Sequence, residues 1–343
     1  MSLFDRRQVA VAAICTLALT GLQAADGPYV SVADIQIGGP GRFDYLTADG
    51  ANKRLYVSHG TEAVVIDTAT NKIIGRIADT PGIHGIAIAP DLGRVFTSNG
   101  ADNKVSIVNA KDFTTVMKVE TGANPDAIMY EATKKMVWSF NHTGKSVTVI
   151  DAQTGKVAAT IPLSGTAETG QADPGLGKVF VNLEDTDSIE VIDMNTYKVV
   201  GNYKVAPAKA PTGMAIDAKT HRIFVTGGDA PTMVMMDAAT GKVVASAPTC
   251  TGSDATWIDS GLGRAFASCS DGHISVLTIA GDKLTPLQTI DTARGARTMT
   301  IDPVTHRLYT ATVKYAAADP NAKAGARATA LPDSFHVLVY GPK

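Results

Sequence analysis

The amino-acid sequence predicts an all-β fold: a seven-bladed β-propeller of four-stranded antiparallel blades, with the last blade closed by a strand from the N-terminal end. Three observations predict it. A hydrophobic-aromatic-small triplet recurs seven times, as Leu55-Tyr56-Val57, Val95-Phe96-Thr97, Met136-Val137-Trp138, Val179-Phe180-Val181, Ile223-Phe224-Val225, Ala265-Phe266-Ala267 and Leu308-Tyr309-Thr310. Successive copies start 40, 41, 43, 44, 42 and 43 residues apart, the length of one four-stranded blade, about 40 to 45 residues. Finally, only 19% of the 343 residues are charged, while 32 Gly, 16 Pro and many short Val, Ile and Thr runs suit strands joined by tight turns.

The first 24 residues read as an export signal. Arg6 and Arg7 precede an apolar run from Val9 to Leu19, and small residues lead to a cleavage point after Ala24. The run is too short to span a membrane, so residues 25–343 are expected to form one propeller domain with no membrane span, periplasmic or secreted. Removing Asp5, Arg6 and Arg7 leaves 29 basic and 32 acidic side chains. A nucleic-acid partner is therefore not expected, because phosphate binding calls for a basic face.

Tyr29 to Ile37 alternates like an outer strand and precedes the first blade; the last blade, after Phe335 to Tyr340, lacks its own. Pairing the two closes the ring and removes its open edges. Within each repeat an apolar strand A (Gly85 to Ala89, Gly213 to Asp217) leads through a basic-ended turn to the triplet strand B. A polar loop then leads to strand C, ending in Asp or Asn (Val64-Val65-Ile66-Asp67, Val147 to Asp151, Ile189 to Asp193, Met233 to Asp237). A turn such as Gln153-Thr154-Gly155-Lys156 opens strand D, Val157 to Ile161. The triplet aromatics, at the middle position in six of the seven copies, are the expected wedges between blades, with Met136, Trp138, Met214, Met235, Met236 and Met299 in the same packing.

The Val-Ile-Asp strand end, the Thr-Gly-Lys turn and the Leu-Tyr-Val strand resemble the YVTN-repeat propellers of bacterial exported and surface proteins, including the YncE-like periplasmic group. The resemblance covers residues 28 to 343 and implies the architecture. It does not imply an activity, because this fold hosts binding modules and enzymes alike.

An up-and-down blade puts its A-to-B and C-to-D turns on one face of the disc and its D-to-A and B-to-C connections on the other. On the first of these faces the turns repeat. His221 and His306 are thus expected to be structural or solvated, and Asp67, Asp151, Asp193 and Asp237 to stabilise turns. On the other face the copies diverge. The residue before each innermost strand gives one ring, Asp44, His84, Asp126, Glu168, Thr212, Asp254 and Arg297; the residue two beyond each triplet gives a second, His59, Asn99, Phe140, Leu183, Gly227, Cys269 and Thr312. Polar groups gather in blades one to four, where Asp44, His59, His84, Asn99, Asp126, Asn141, His142 and Glu168 are placed to converge. Arg294, Arg297 and Lys314 make the opposite sector basic and suited to an anionic group.

His59 and His84 with Asp126 and Glu168 are candidate ligands for a zinc- or manganese-like divalent ion, since imidazole nitrogen and carboxylate oxygen suit such borderline metals. Cys15 leaves with the signal, so Cys250 and Cys269 remain as an even pair for a disulfide. Ala316 to Asp333, carrying Lys323 and Arg327, is the longest irregular segment and reads as a lid, a docking loop or decoration. Gly-x-Ser-x-Gly, His-Glu-x-x-His, phosphate-loop and Cys-x-x-Cys-His motifs are absent. The expectation is a module that binds a small molecule or protein partner at the D-to-A and B-to-C face. The alternatives are a metal-dependent hydrolase or lyase with its ion at the channel mouth, and a scaffold acting through its rim.

Overall fold

The structure is a computed structural model that describes residues 27–39, 41–316 and 329–343. The export signal, and Lys323 and Arg327 of the long irregular segment, lie outside the described residues. Among the described residues, no helix is long and apolar enough to cross a membrane.

The described residues form seven four-stranded sheets. Blade one is typical: strands A to D are Leu46–Asp49, Arg54–His59, Glu62–Asp67 and Lys72–Ile77, each antiparallel to the next. Blades two to six repeat this order, and the seven A strands pack side by side in a closed circle around the axis. Blade seven is composite. Its strands A to C are Met299–Asp302, Arg307–Thr312 and His336–Pro342, and its outer strand is Tyr29–Gln36, running from Tyr29 opposite Pro342 to Gln36 opposite His336.

Seven apolar clusters hold the ring together, one between each pair of consecutive blades. The triplet aromatic of each blade points forward into the next: Tyr56 lies among Ile83, Ile86 and Val95, Phe180 among Met214, Ile223 and Val225, and Tyr309 among Leu46, Leu55 and Val57. The flanking triplet residues point backward, as period-2 alternation demands. In blade three the repeat is displaced by one residue from the expected triplet. Trp138 points forward into blade four and Val137 backward into blade two, so the true triplet is Val137-Trp138-Ser139 and all seven middle positions are aromatic. Met136 begins this strand, where Arg54, Arg94, Lys178, Arg222, Arg264 and Arg307 begin the others. An apolar residue at a normally basic position caused the slip, and a slip of one residue reverses every facing along a strand.

The turns of the repetitive face behave as their residues suggest. The residue before each B strand is left-handed in all seven blades: Lys53, Gly93, Lys135, Gly177, His221, Gly263 and His306, with φ between 52° and 63°. Asp67, Asp151, Asp193 and Asp237 accept hydrogen bonds from the backbone and hydroxyl of Thr70, Thr154, Thr196 and Thr240, which hold their carboxyls below the ordinary aspartate range. His221 and His306 do more than decorate their turns. Nδ1 of His221 lies 2.7 Å from Asp173, and Nδ1 of His306 lies 2.6 Å from Asp259, each carboxylate buried in the preceding blade. They are latches between blades.

Cys250, entering blade six, and Cys269, ending its B strand, form a disulfide with a Cα separation of 5.8 Å. It closes a loop of sequence separation 19, for which chain entropy gives about 3 kcal/mol. The Cys250→Ala, Cys269→Ala double variant is expected to lose that amount in denaturant unfolding; an unchanged midpoint would show the loop to be restrained without it.

Candidate functional site

All seven residues of the first ring line a single cavity of about 400 Å³ at the axis: Asp44, His84, Asp126, Glu168, Thr212, Asp254 and Arg297. The reason is local. Each stands where a D-to-A connection enters the innermost strand, the point at which a blade comes nearest the axis. Buried hydroxyl and amide groups of neighbouring blades clamp these backbones. Ser98 donates to the Asp126 carbonyl, Asn182 to that of Thr212 at 3.2 Å, Ser268 to that of Arg297 and Thr298 to that of Asp44 at 2.7 Å. In blade three the place of Ser98 is taken by Phe140, whose ring presses on Gly170 so closely that a Cβ there would stand 2.2 Å from it. Only glycine fits beside Glu168 and Thr169 on this strand.

The second ring does not face the cavity. His59, Asn99, Cys269 and Thr312 end their B strands and are buried, together with Asn141, which the corrected register places in this ring instead of Phe140. Asn99 bonds Thr97 and Ser106, and Asn141 bonds Ser146 and Thr148. His59, taken from sequence as a metal ligand, is stacked on Phe335 with ring centroids 4.4 Å apart and planes 9° from parallel. Its neighbour Glu62 lies 3.5 Å away, in the seam between blades seven and one. The second tier of the site is the residue one position further on: His142, Glu184, Gly228 and Ser270 in blades three to six. Counting one residue past each B strand, where alternation turns the side chain back to the axis, would have found Glu184. It also explains why His142 stands beside the carboxylates and His59 does not. Arg294 and Lys314 are not among the lining residues; the Arg294 carbonyl accepts a hydrogen bond from Thr312, and the Lys314 amide donates to Ser334.

Five carboxylates line the cavity, those of Asp44, Asp126, Glu168, Glu184 and Asp254, against one guanidinium. Arg297 is committed to them, with Nε 2.5 Å from Asp254 and a terminal nitrogen 3.8 Å from Asp44. The sequence suggested an anion anchor here, and the structure supplies a neutralised pair. His84 Nδ1 lies 2.6 Å from Asp44 Oδ2 and 3.6 Å from Asp126 Oδ1, while His142 Nδ1 lies 2.9 Å from Glu168 and 3.1 Å from the Ala167 carbonyl.

Burial, reinforced by the Asp44 and Glu168 charges, pushes the Asp126 carboxyl well above the carboxylate range. Burial raises Asp254 and Glu168 as well, outweighing their cationic partners. The Glu168 hydrogen bond lifts His142 to about 9, so this pair holds a proton through neutral pH. Burial alone would lower His84, but the hydrogen bond to Asp44 and the charges of Asp126 and Asp44 raise it. Tyr45, deep in the channel, is kept neutral by burial and by the surrounding carboxylates.

Tyr45 and Asp254 also line a second cavity of about 500 Å³ on the far side. Ile86, Ile128, Met129, Met214, Trp257 and Met299 make that chamber largely apolar. The axial channel is thus acidic at the D-to-A and B-to-C mouth and apolar beyond Tyr45.

Fold and site together define a seven-bladed propeller with an acidic axial pocket. The family model described as a YNCE-like beta-propeller matches residues 77–258, more than half of the chain, and the protein belongs to this family. An uncharacterised YncE protein of Salmonella typhi is 25% identical over 191 residues, 52% of this chain and 51% of that protein. The uncharacterised YncE of Escherichia coli is 26% identical over 122 residues, 33% of this chain and 34% of that protein. The matched segments thus span about half or less of these relatives. Among solved structures, Kuenenia stuttgartiensis hydrazine synthase aligns with a TM-score of 0.70 at 15% identity, over 85% of this chain and 95% of that one. That likeness concerns the fold alone.

Proposed function

We propose that this protein is an exported ligand-binding module whose acidic axial pocket takes a cationic ligand. The observation that carries the reading is the charge balance: five carboxylates converge in one cavity with a single, already paired guanidinium and one lining imidazole. With its five carboxyls ionised the pocket stays negative even when His84 and His142 are both protonated, and the raised carboxyls of Asp126, Glu168 and Asp254 mark groups whose ionisation is made costly first by burial and then by neighbouring negative charge. A bound cation relieves that cost. Export is supported by the N-terminal pattern and by the disulfide, which persists in oxidising compartments. The hydrolase or lyase alternative has no observation in its favour.

The test is thermal unfolding with Mn²⁺, Zn²⁺ and spermidine against phosphate and citrate. A cation at a hundred times its dissociation constant stabilises by about 2.7 kcal/mol, and the Asp44→Asn, Glu168→Gln double variant is expected to lose most of this. Stabilisation by the anions alone, or an undiminished cation effect in the double variant, would overturn the reading.

A further inference from the structure

Two overlapping groups of metal-type ligands stand at the mouth of the pocket, and both contain Asp126. One is Asp44, His84 and Asp126; the other is Asp126, His142 and Glu168; within each, one ligand atom per residue lies within 4.8 Å of the others. A third group, Cys250, Cys269 and Asp271, has no free thiolate because its cysteines are joined. We propose that Asp126 is a bridging carboxylate between two divalent-cation positions, one completed by Asp44 and His84, the other by His142 and Glu168. This rests on the cation-binding reading above and deepens it.

Three features point to a pair of ions. The two flanks are separate, His84 with Asp44 at 2.6 Å and His142 with Glu168 at 2.9 Å, and Asp126 is the one group common to both. The donor set of each flank is one imidazole and two carboxylates, the chemistry of zinc, manganese and similar borderline ions. Ligands held at about 2.1 Å by a tetrahedral ion stand roughly 3.4 Å apart, and the separations of 2.6 Å and 3.6 Å from His84 Nδ1 to its two carboxylates bracket that value.

Independently of the clustering, Asp126 is only 9% exposed, yet its Oδ1 accepts no hydrogen bond among the described residues, His84 Nδ1 standing beyond hydrogen-bond reach at 3.6 Å. A buried carboxylate oxygen without a donor is costly to keep. Asp126 is a lining residue of the pocket, where an ion would satisfy this oxygen. The backbone is prepared for the role: Ser98 bridges the Asp126 carbonyl and the Gly85 amide, tying the Asp126 connection to the strand that carries His84.

The experiment is equilibrium dialysis of the full chain against Mn²⁺ alone and Zn²⁺ alone, with metal counted per chain, and electron paramagnetic resonance of the Mn²⁺ form. Two ions per chain and a spin-coupled manganese spectrum are expected. Asp126→Asn is expected to weaken both positions at least tenfold, while His84→Ala or Glu168→Gln leaves one ion bound. A single ion per chain with an isolated six-line spectrum overturns the bridge and leaves the cation-binding reading standing. Two ions bound unchanged by Asp126→Asn also overturn it. If neither metal binds, the metal proposal fails outright, and the response to spermidine decides the broader reading separately. The spectrum of the unsubstituted protein settles the point even where a variant does not fold.

Discussion

A chain shortened to begin at Ile37 is expected to lose cooperative unfolding and to associate through an exposed sheet edge. Tyr29–Gln36 is the outer strand of blade seven, and its removal strips strand His336–Pro342 of its ladder partner. Buried Tyr29 and Ile35 leave with it, at about 1.5–3 kcal/mol each for a fully buried side chain. Tyr29 also stacks edge-on against Phe266 at 5.4 Å, and its backbone exchanges two hydrogen bonds with Gln288, so the deletion unfastens blade six from blade seven as well. The summed loss of about 5 kcal/mol or more is comparable with the whole stability of many domains. The unpaired edge then becomes a template for other chains. Differential scanning calorimetry and light scattering check this, with a synthetic peptide of residues 27–37 added in trans to restore the transition. A shortened chain that melts like the full one would mean the ring closes without this strand.

The second large effect runs against the usual sign for a buried substitution. Asp126→Asn is expected to raise the melting temperature of the metal-free protein and to abolish its stabilisation by cations. Asp126 is desolvated and faces the Asp44 and Glu168 charges, with the His84 and His142 imidazoles giving only part compensation. An amide of the same shape has no ionised form to desolvate and supplies a donor to its neighbours, so a gain of about 1 kcal/mol is the expected scale, as for other residues that trade stability for binding. For a chain of this size that is a rise of about 1–2 °C. In saturating Mn²⁺ the order reverses, because only the unsubstituted pocket gains the binding energy. A metal-free variant less stable than the parent would show that Asp126 serves the fold and not the pocket.

The register correction in blade three shows how sequence and structure divide the work. Seven copies, the order of strands within each and the closing strand were all readable, because a blade cannot bury its faces alone and every copy must therefore carry the same apolar and turn pattern. The triplet of blade three was displaced by one residue because Met136 sits where the other copies carry a basic residue. The facing of its neighbour Trp138 is set by contacts with blade four that no local pattern encodes.

The candidate pocket was readable at the level of the first ring and no further. Asp44, His84, Asp126, Glu168, Thr212, Asp254 and Arg297 hold equivalent places in the repeat, and equivalence under a sevenfold axis is enough to bring them together. Sequence by itself therefore determined the architecture and the ring. Tertiary structure decided which neighbours face inward and which are spent elsewhere: His142 and Glu184 toward the axis, His59 against Phe335, Asn99 and Asn141 in hydrogen bonds between strands, and Arg297 on Asp254. The physical reason is that facing along a strand changes with every residue, and the pairing of charges depends on distances across blades, which a repeat pattern does not record.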